Sequence, residues 1–501
     1  MKNYNPETQR TDTSPVKQRL HIVSLIFFIG GAVKNFIYPL AALLISYFVR
    51  NGIEGIWSSG IIALAALLII VAGYISWLRF TYSVQDGMVN IESGVFVRKN
   101  VWVSSDRVQS VDLTAGVLHR MFGILKLQIQ TAGGNQAEVI LNGISKAESN
   151  RIQEALLRKT QPDVHAAANT EEPVVQAPAE QGANARPDAD EKLQLTGRNL
   201  FIYSITSGTI GIVLAVIGAA YSQLHKWLNQ ALDLDHMTWE QLTLWKGTLF
   251  AAGLLLAAWI IAVFITIQKE YGFTLERTGG RLKMERGLLE RKEVSIKLRR
   301  IQAIQLQKNL LRRPFGFVSV YAVIAGYSGK DDKSALLFPL IREQELDAFL
   351  QRFVPHLKVS QDWETLSGKA LTSYLWPSLL VSALITGLTL SLLPGPWIWL
   401  ALALSALMLL YSWLQYKETA WSIQGDQLAI RYGAFNRCQA LVPKRKIQWH
   451  STSQHFFQRR KQLASLKVAL PSGKGAAKYS ILHLPEETAI QLKQWITQRH
   501  G

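Results

Sequence analysis

The sequence predicts a membrane protein of α-helical hairpins and α+β domains, in which a two-span transmembrane hairpin followed by a small β domain occurs three times. Two observations predict it. Apolar residues gather in blocks long enough to cross a bilayer, and one pattern of 52 residues recurs directly after each pair of blocks. Short alternating runs inside that pattern give about seven strands and one C-terminal helix to each β domain.

The repeat is carried by polar positions. Its first copy is residues 80–131, the second opens at Tyr271 and the third at Thr419. With Gly94, Gly287 and Gly433 as origin, an Arg follows at position 4 (Arg98, Arg291, Arg437) and a basic residue at 13 (Arg107, Arg300, Lys446). A Gln stands at 15 (Gln109, Gln302, Gln448), and another Arg at 26 (Arg120, Arg313, Arg459). No gap is needed to align them.

The blocks set the number of spans. Uncharged runs of 24 residues (55–78), 26 (199–224) and 22 (247–268) each suffice for a hydrocarbon core of about 30 Å. Residues 370–416 are 47 uncharged positions broken by Pro394-Gly395-Pro396, which reads as two spans and a tight turn. In the first block Lys34 interrupts the apolar run, and a lysine at the bilayer centre costs about 2.5–3.5 kcal/mol. The cheaper solution places residues 21–33 partly in the interface, with Lys34 snorkelling and residues 35–49 crossing. The total is six spans. Polar residues before the first block and the lack of a small-residue cleavage site argue against a signal peptide.

Orientation follows from Lys and Arg in short loops. The N-terminal tail carries Lys2, Arg10, Lys17 and Arg19, whereas the turns near 50–55, 225–246 and 394–396 are neutral or acidic. Those turns are expected outside, and both termini and all three β domains at the cytoplasmic face of a bacterial cell membrane. The resulting organisation is a tail (1–19), hairpin 1 (20–79), β domain 1 (80–159), a disordered acidic linker (160–191), hairpin 2 (192–270), β domain 2 (271–358), hairpin 3 (359–418) and β domain 3 (419–501). The linker holds seven acidic residues against Arg186 alone and lacks the apolar content to pack; a second reading makes it an acidic decoy for the basic repeats. The lone Cys438 excludes an intramolecular disulfide and suits a reducing compartment.

Within each copy, turns at Asp86-Gly87, Gly279-Gly280 and Gly425-Asp426 are hairpin chemistry. Amphipathic helices over 146–159, 343–353 and 486–498 close the copies, each set to plug one face of a bent sheet. Gly94-Val95-Phe96-Val97-Arg98, Arg107-Val108-Gln109-Ser110-Val111 and Leu118-His119-Arg120-Met121-Phe122-Gly123 resemble the bacterial pleckstrin-homology-like (PH-like) domain of the second type, formerly a domain of unknown function. Gly287-Leu288-Leu289-Glu290-Arg291 and Arg313-Pro314-Phe315-Gly316 do so too. The triplicated arrangement resembles the YdbT-like membrane proteins outside residues 160–191. That resemblance implies PH-like domains and no settled biochemical activity. In the third copy Lys461-Gln462 replaces Phe-Gly, so this turn is expected to be built differently.

Charge points to a partner. Residues 427–485 hold eleven Lys or Arg and no acid, and residues 281–313 hold eleven basic against three acidic. The candidate contacts are Arg98, Arg107, Arg120, Arg291, Arg300, Arg313, Arg437, Lys444, Arg445, Lys446, Arg459, Arg460 and Lys461. Three readings stay open: the charges set topology and solvation, they contact anionic lipid at about 1 kcal/mol per well-placed cation, or they bind an acidic protein, with nucleic acid the weaker alternative. The recurring Arg and Gln positions have a structural reading, bracing the domain through backbone carbonyls.

Nothing points to catalysis, metal or cofactor. Gly326-Tyr-Ser-Gly-Lys and Ser472-Gly-Lys-Gly lack the phosphate-loop spacing, and His450 and His455 stand beside basic residues without a partner acid. The expected function is therefore a non-enzymatic interaction or scaffolding platform of three PH-like domains on a membrane, open to self-association. The alternative is a component of membrane transport or envelope export, for which ionisable residues within the spans are nearly lacking.

Overall fold

The computed structural model describes residues 17–34, 36, 61–85, 88–95, 98–105, 107–131, 139–158, 191–207, 244–325, 334–392, 395–472 and 475–498. The chain divides into two compact units, 1–184 and 185–501. Most of the linker, the turns near 50–55 and 225–243 that were expected outside, and the hairpin turn at Asp86-Gly87 lie outside the described residues.

The first unit carries module 1. Here β1 (Gln18–Arg19), β2 (Thr81–Gln85), β3 (Met88–Ser93) and β4 (Lys99–Ser104) pair antiparallel in that order. The strands β5 (Val108–Ala115), β6 (Ile124–Thr131) and β7 (Val139–Ser145) follow as an antiparallel run. The closing helix Lys146–Arg158 sets Ile152 and Leu156 into a core with Val89, Val103, Val111, Leu127 and Leu141. Strand β1 precedes the first hairpin and pairs with β2 after it, so each module is interrupted by its hairpin rather than preceded by it.

The second unit repeats this plan twice. Module 2 comprises β8 (Glu191–Gln194), β9 (Thr274–Thr278), β10 (Arg281–Arg286) and β11 (Arg291–Lys297), then β12 (Ile301–Lys308), β13 (Phe317–Ile324), β14 (Ser334–Arg342) and the helix Leu346–Phe353. Module 3 comprises β15 (Glu364–Thr365), β16 (Ala420–Gln424), β17 (Gln427–Tyr432) and β18 (Arg437–Pro443), then β19 (Trp449–Ser453), β20 (Leu463–Ser472), β21 (Gly475–Pro485) and the helix Glu486–Thr497. The linker and hairpin ranges drawn from sequence meet inside β8, which pairs with β9 across hairpin 2. The two-residue turns at Gly279-Gly280 and Gly425-Asp426 form as expected, with Gly279 and Gly425 at φ 54° and 55°, where a Cβ is unfavourable.

Modules 2 and 3 are not separate beads. Strand β12 pairs antiparallel with β18, Ile304 opposite Leu441 and Gln305 opposite Ala440, which merges two half-sheets into one of seven strands, β14-β13-β12-β18-β17-β16-β15. Side chains alternate along a strand, so the shared sheet serves two cores. Ile304, Leu306 and Leu441 face Phe273, Phe338, Phe349 and Phe353 of module 2. Ala303, Ala440 and Val442 face Leu470, Tyr479, Ile481 and Leu492 of module 3. Burying one such Leu or Ile contributes about 2 kcal/mol; peeling β18 away would expose several at once.

Among the described residues two helices are long and apolar enough to cross a membrane, Gly368–Leu392 and Trp397–Glu418, with mean hydropathy 1.7 and 1.8. The six spans expected from sequence are therefore not confirmed among the described residues. The partners Ser378 with Ser412 and Thr386 with Ser405 join the two helices along a seam of small residues, while Leu384, Leu388, Leu400 and Leu407 point outward, 70%, 56%, 61% and 51% exposed. A further helix, Leu244–Glu270, runs 27 residues in hairpin 2. In the first hairpin the helices Ile22–Lys34 and Ala63–Leu78 are shorter and apolar. Lys34 is solvent-exposed on its helix, and residues 37–60, where the tilted crossing was expected, are outside the description.

Candidate functional site

Each module has an end at its hairpin and an end away from it, and the recurring glycine marks the first. Gly94, Gly287 and Gly433 take φ of 108°, 105° and 103°. A Cβ on Gly287 would stand 2.0 Å from the Glu290 carbonyl oxygen, and one on Gly433 2.1 Å from that of Asn436, so only glycine closes these loops. The second and third loops lie against the helix before them: Leu288 N donates to Gln268 O at 2.9 Å, and the Phe435 ring lies 5.6 Å from that of Tyr411. Arg286 pairs with Glu270 at 2.7 Å, and Arg437 with Glu418 at 2.6 Å.

Glu418 also accepts from Arg313 at 3.1 Å, and Arg313 donates its second Nη to the Ala434 carbonyl. One buried carboxylate therefore ties module 2 to module 3 at the foot of hairpin 3. Arg313 and Arg437 brace the fold, as the structural reading has it, and Gln302 does likewise, donating to Arg300 O at 2.8 Å. Gln448 is exposed. Arg98, Arg107, Arg120 and Arg291 are exposed at the starts or turns of their elements.

The short helical turn over positions 23–29 is the second recurring feature at this end: Val117–Met121, Leu310–Arg312 and Phe456–Arg460. Its last backbone bond repeats in all three copies, Gly123, Gly316 and Gln462 each donating to the carbonyl of the recurring Arg at 3.2 Å. Gln462 sits at φ 53°, close to the 65° of Gly123 and Gly316. The third turn is therefore built the same way, against the sequence expectation: a side chain bears a left-handed conformation that costs about 1 kcal/mol or more. Position 25, which sequence comparison passed over because it is His119, Arg312 or Gln458, faces inward. His119 stacks on Phe27 at 4.2 Å. Arg312, 3% exposed, donates to Thr206 Oγ1 at 2.8 Å and to Tyr203 O at 3.3 Å. Gln458 donates to Ser465 Oγ at 2.8 Å and lies 2.9 Å from His483 Nδ1.

The basic clusters of module 3 fall at opposite ends. Lys461 donates to Thr372 Oγ1 at 2.6 Å beside the third hairpin, and Arg460 lies 5.3 Å over the Phe456 ring. Lys444, Arg445 and Lys446 follow β18, whose seven residues lead away from Arg437 and Glu418. At about 3.3 Å per residue that is about 20 Å from the hairpin end.

At the distal end two modules converge. Leu298–Arg300 follows β11 as Lys444–Lys446 follows β18. Lys446 Nζ donates to Arg299 O at 3.0 Å. Burial, with Arg445, Arg299 and Arg300 close by, lowers the Lys446 pKa, and burial with Arg445 and Lys446 lowers that of His356. The charges acting on both groups are positive. Lys444 spends its charge differently, 5.0 Å over the Trp495 ring. Arg299, Arg300, Arg445 and Lys446 thus form one cationic cluster at the joint, like charges held together by the fold. Arg299 was outside the sequence reading because its position, 12, is basic in two copies only: the third has Arg445 there and the first Asp106. Cys438 is half-buried among Gln305 and Tyr432, and burial raises its thiol pKa, which marks it as inert. Among the described residues no group of His, Cys, Asp or Glu could hold a metal ion.

Comparison with known proteins agrees with the threefold plan. The family model described as Bacterial PH domain matches three times, over residues 24–160, 211–353 and 378–500, each match taking in hairpin and module together. The UPF0699 transmembrane protein YdbT of Bacillus subtilis (strain 168) is 30% identical over 491 residues, covering 95% of this chain and 97% of its own length.

Proposed function

The chain belongs to the bacterial PH domain family, and we propose that it is a multi-pass membrane scaffold whose modules, on the cytoplasmic side of six spans, present the joint cluster of Arg299, Arg300, Arg445 and Lys446 to an acidic protein segment. One observation carries this reading: two modules fused through β12 and β18 bring their basic turns together about 20 Å from the hairpin end. The Debye length is about 8 Å at physiological ionic strength, so headgroups of the host bilayer act weakly over that distance. An acidic partner approaching from the cytosol meets the cluster before it meets the bilayer. Loop charges support the orientation, and the exposed leucines of Gly368–Leu392 and Trp397–Glu418 call for an apolar surrounding such as acyl chains.

The test uses the full-length protein in nanodiscs of neutral lipid with a fluorescent oligoglutamate peptide as probe. Binding should weaken steeply with salt and fall at least tenfold in Arg299→Glu/Arg445→Glu, while Lys467→Glu, at the exposed position of β20, changes it little. Equal binding by wild type and the double variant sinks the cluster as the site. Orientation is checked with an impermeant thiol reagent in a Cys438→Ser background: Lys467→Cys should stay unlabelled in intact cells and Thr238→Cys should label. The half-buried native thiol is too sluggish to report this itself.

A further inference from the structure

We infer that the short turn of each module is an interfacial anchor, setting an apolar pair at positions 23 and 24 into the boundary between headgroups and acyl chains beside the first helix of its own hairpin. The pairs are Val117 and Leu118, Leu310 and Leu311, and Phe456 and Phe457. Their exposures are 52% and 50%, 51% and 59%, and 67% and 62%. The first two copies add Met121 and Phe122, 72% and 47% exposed, and Phe315, 68% exposed. Single exposed apolar residues are ordinary, but a pair at the same two positions in three copies is not.

Place decides what covers them. One residue of each turn or of its C-cap is fixed to the first helix of the same module's hairpin: His119 to Phe27, Arg312 to Thr206, and Lys461 to Thr372 and Ser373. These contact points lie three to eight residues into the helix, counted from Ile22 where the first helix starts and from Arg198 and Lys369, the last basic residues before the other two apolar runs. At 1.5 Å per residue that is about 5–12 Å along the helix, the depth of the headgroup layer and the first acyl carbons. A surface continuous with a helix at that depth meets lipid. Arg459 and Arg460 flank the third pair, as cations flank apolar residues in interfacial segments. The anchor rests on the membrane-spanning reading but not on the acidic partner, nor on which side the modules face.

Full-length protein in a Cys438→Ser background, carrying Leu118→Cys, Leu311→Cys or Phe457→Cys labelled with an environment-sensitive fluorophore, is reconstituted in phosphatidylcholine nanodiscs. Ser472→Cys, at the far end of the ten-residue β20, is the aqueous control. Nitroxide-bearing lipid should quench the three turn positions severalfold more than the control, and iodide should quench them severalfold less. Since the substituted side chains are exposed, unfolding transitions should match the parent, and only matching variants are read. Iodide access equal to the control overturns the anchor. Protection from iodide without quenching by lipid overturns it too, because the cover is then protein.

Discussion

Arg313 of module 2 and Glu418 at the end of hairpin 3 are 105 positions apart in sequence and 3.1 Å apart in space. Glu418 simultaneously holds Arg437, and its side chain is 8% exposed. Removing a partner from such a group leaves uncompensated charge that cannot reach bulk water. Glu418→Gln should therefore destabilise the protein by about 3 kcal/mol, read as a lowered midpoint of thermal unfolding in detergent. Arg313→Met/Glu418→Met should recover part of the loss, because Arg437, a quarter exposed, is then the one arginine of the pair left without its carboxylate. An unchanged midpoint in Glu418→Gln would remove the pair from the account of how the modules are joined.

The shared sheet predicts a covalent test. Gln307 of β12 stands directly opposite Cys438 of β18. Opposed residues in antiparallel strands have Cα atoms about 4.5–5.5 Å apart, within the range that a disulfide spans. Gln307→Cys should form a bond with the native cysteine on mild oxidation, shifting the mobility of a protein cleaved between the two positions. Val320→Cys, on β13, should not. Two separate modules joined by a flexible segment would crosslink slowly and incompletely.

The left-handed Gln462 predicts a gain. Its φ of 53° equals within about 12° that of the glycines at the same position in the other copies. Gln462→Gly should relieve the Cβ penalty and stabilise module 3 by up to about 1 kcal/mol, less the entropy that a glycine adds to the unfolded chain. Gly316→Ala should act in the opposite direction by a similar amount. A fall in stability for Gln462→Gly would mean that the side chain makes a contact worth more than the strain.

Part of this organisation was legible from residue spacing. The repeat, the apolar helix pair Gly368–Leu392 and Trp397–Glu418, and the closing helices follow from Gly, Arg and apolar periodicity. The fused sheet was not, because pairing between β12 and β18 is written in edges rather than in faces; the hint was the run Ala440-Leu441-Val442, apolar at consecutive positions as in a strand buried on both sides. Strands of two residues, such as Gln18–Arg19 and Glu364–Thr365, carry no period at all, so the pieces of each module lying before its hairpin went unread. Glu270 and Glu418 carry no sequence signal that sets them apart from other charges at helix ends; only the fold brings Arg286, Arg313 and Arg437 to them. Among the candidate contacts, Arg300, Arg445 and Lys446 came together at the joint, whereas Arg313 and Arg437 were drawn into structure and Lys461 to the hairpin.

His483 makes the hairpin end of module 3 sensitive to acid. It sits with Gln458 Nε2 2.9 Å from its Nδ1, against the Tyr374 ring at 5.0 Å, with the His455 ring 6.2 Å away and Lys461 nearby. Burial, then His455 and Lys461, push its pKa from the usual 6.5 down to about 4. Above pH 6.5 the imidazole is neutral in both folded and unfolded chains and stability does not depend on it. Between pH 6.5 and about 4 the unfolded chain takes up a proton that the folded chain refuses, so stability falls as pH falls through that window, and the loss is complete below it. His483→Asn keeps a side chain that tolerates the left-handed φ of 57° and cannot titrate. The unfolding midpoint of the wild type should therefore drop more between pH 7 and pH 5 than that of the variant. Parallel pH profiles would show that the folded imidazole accepts its proton freely, and that the turn, not the histidine, holds Gln458 in place.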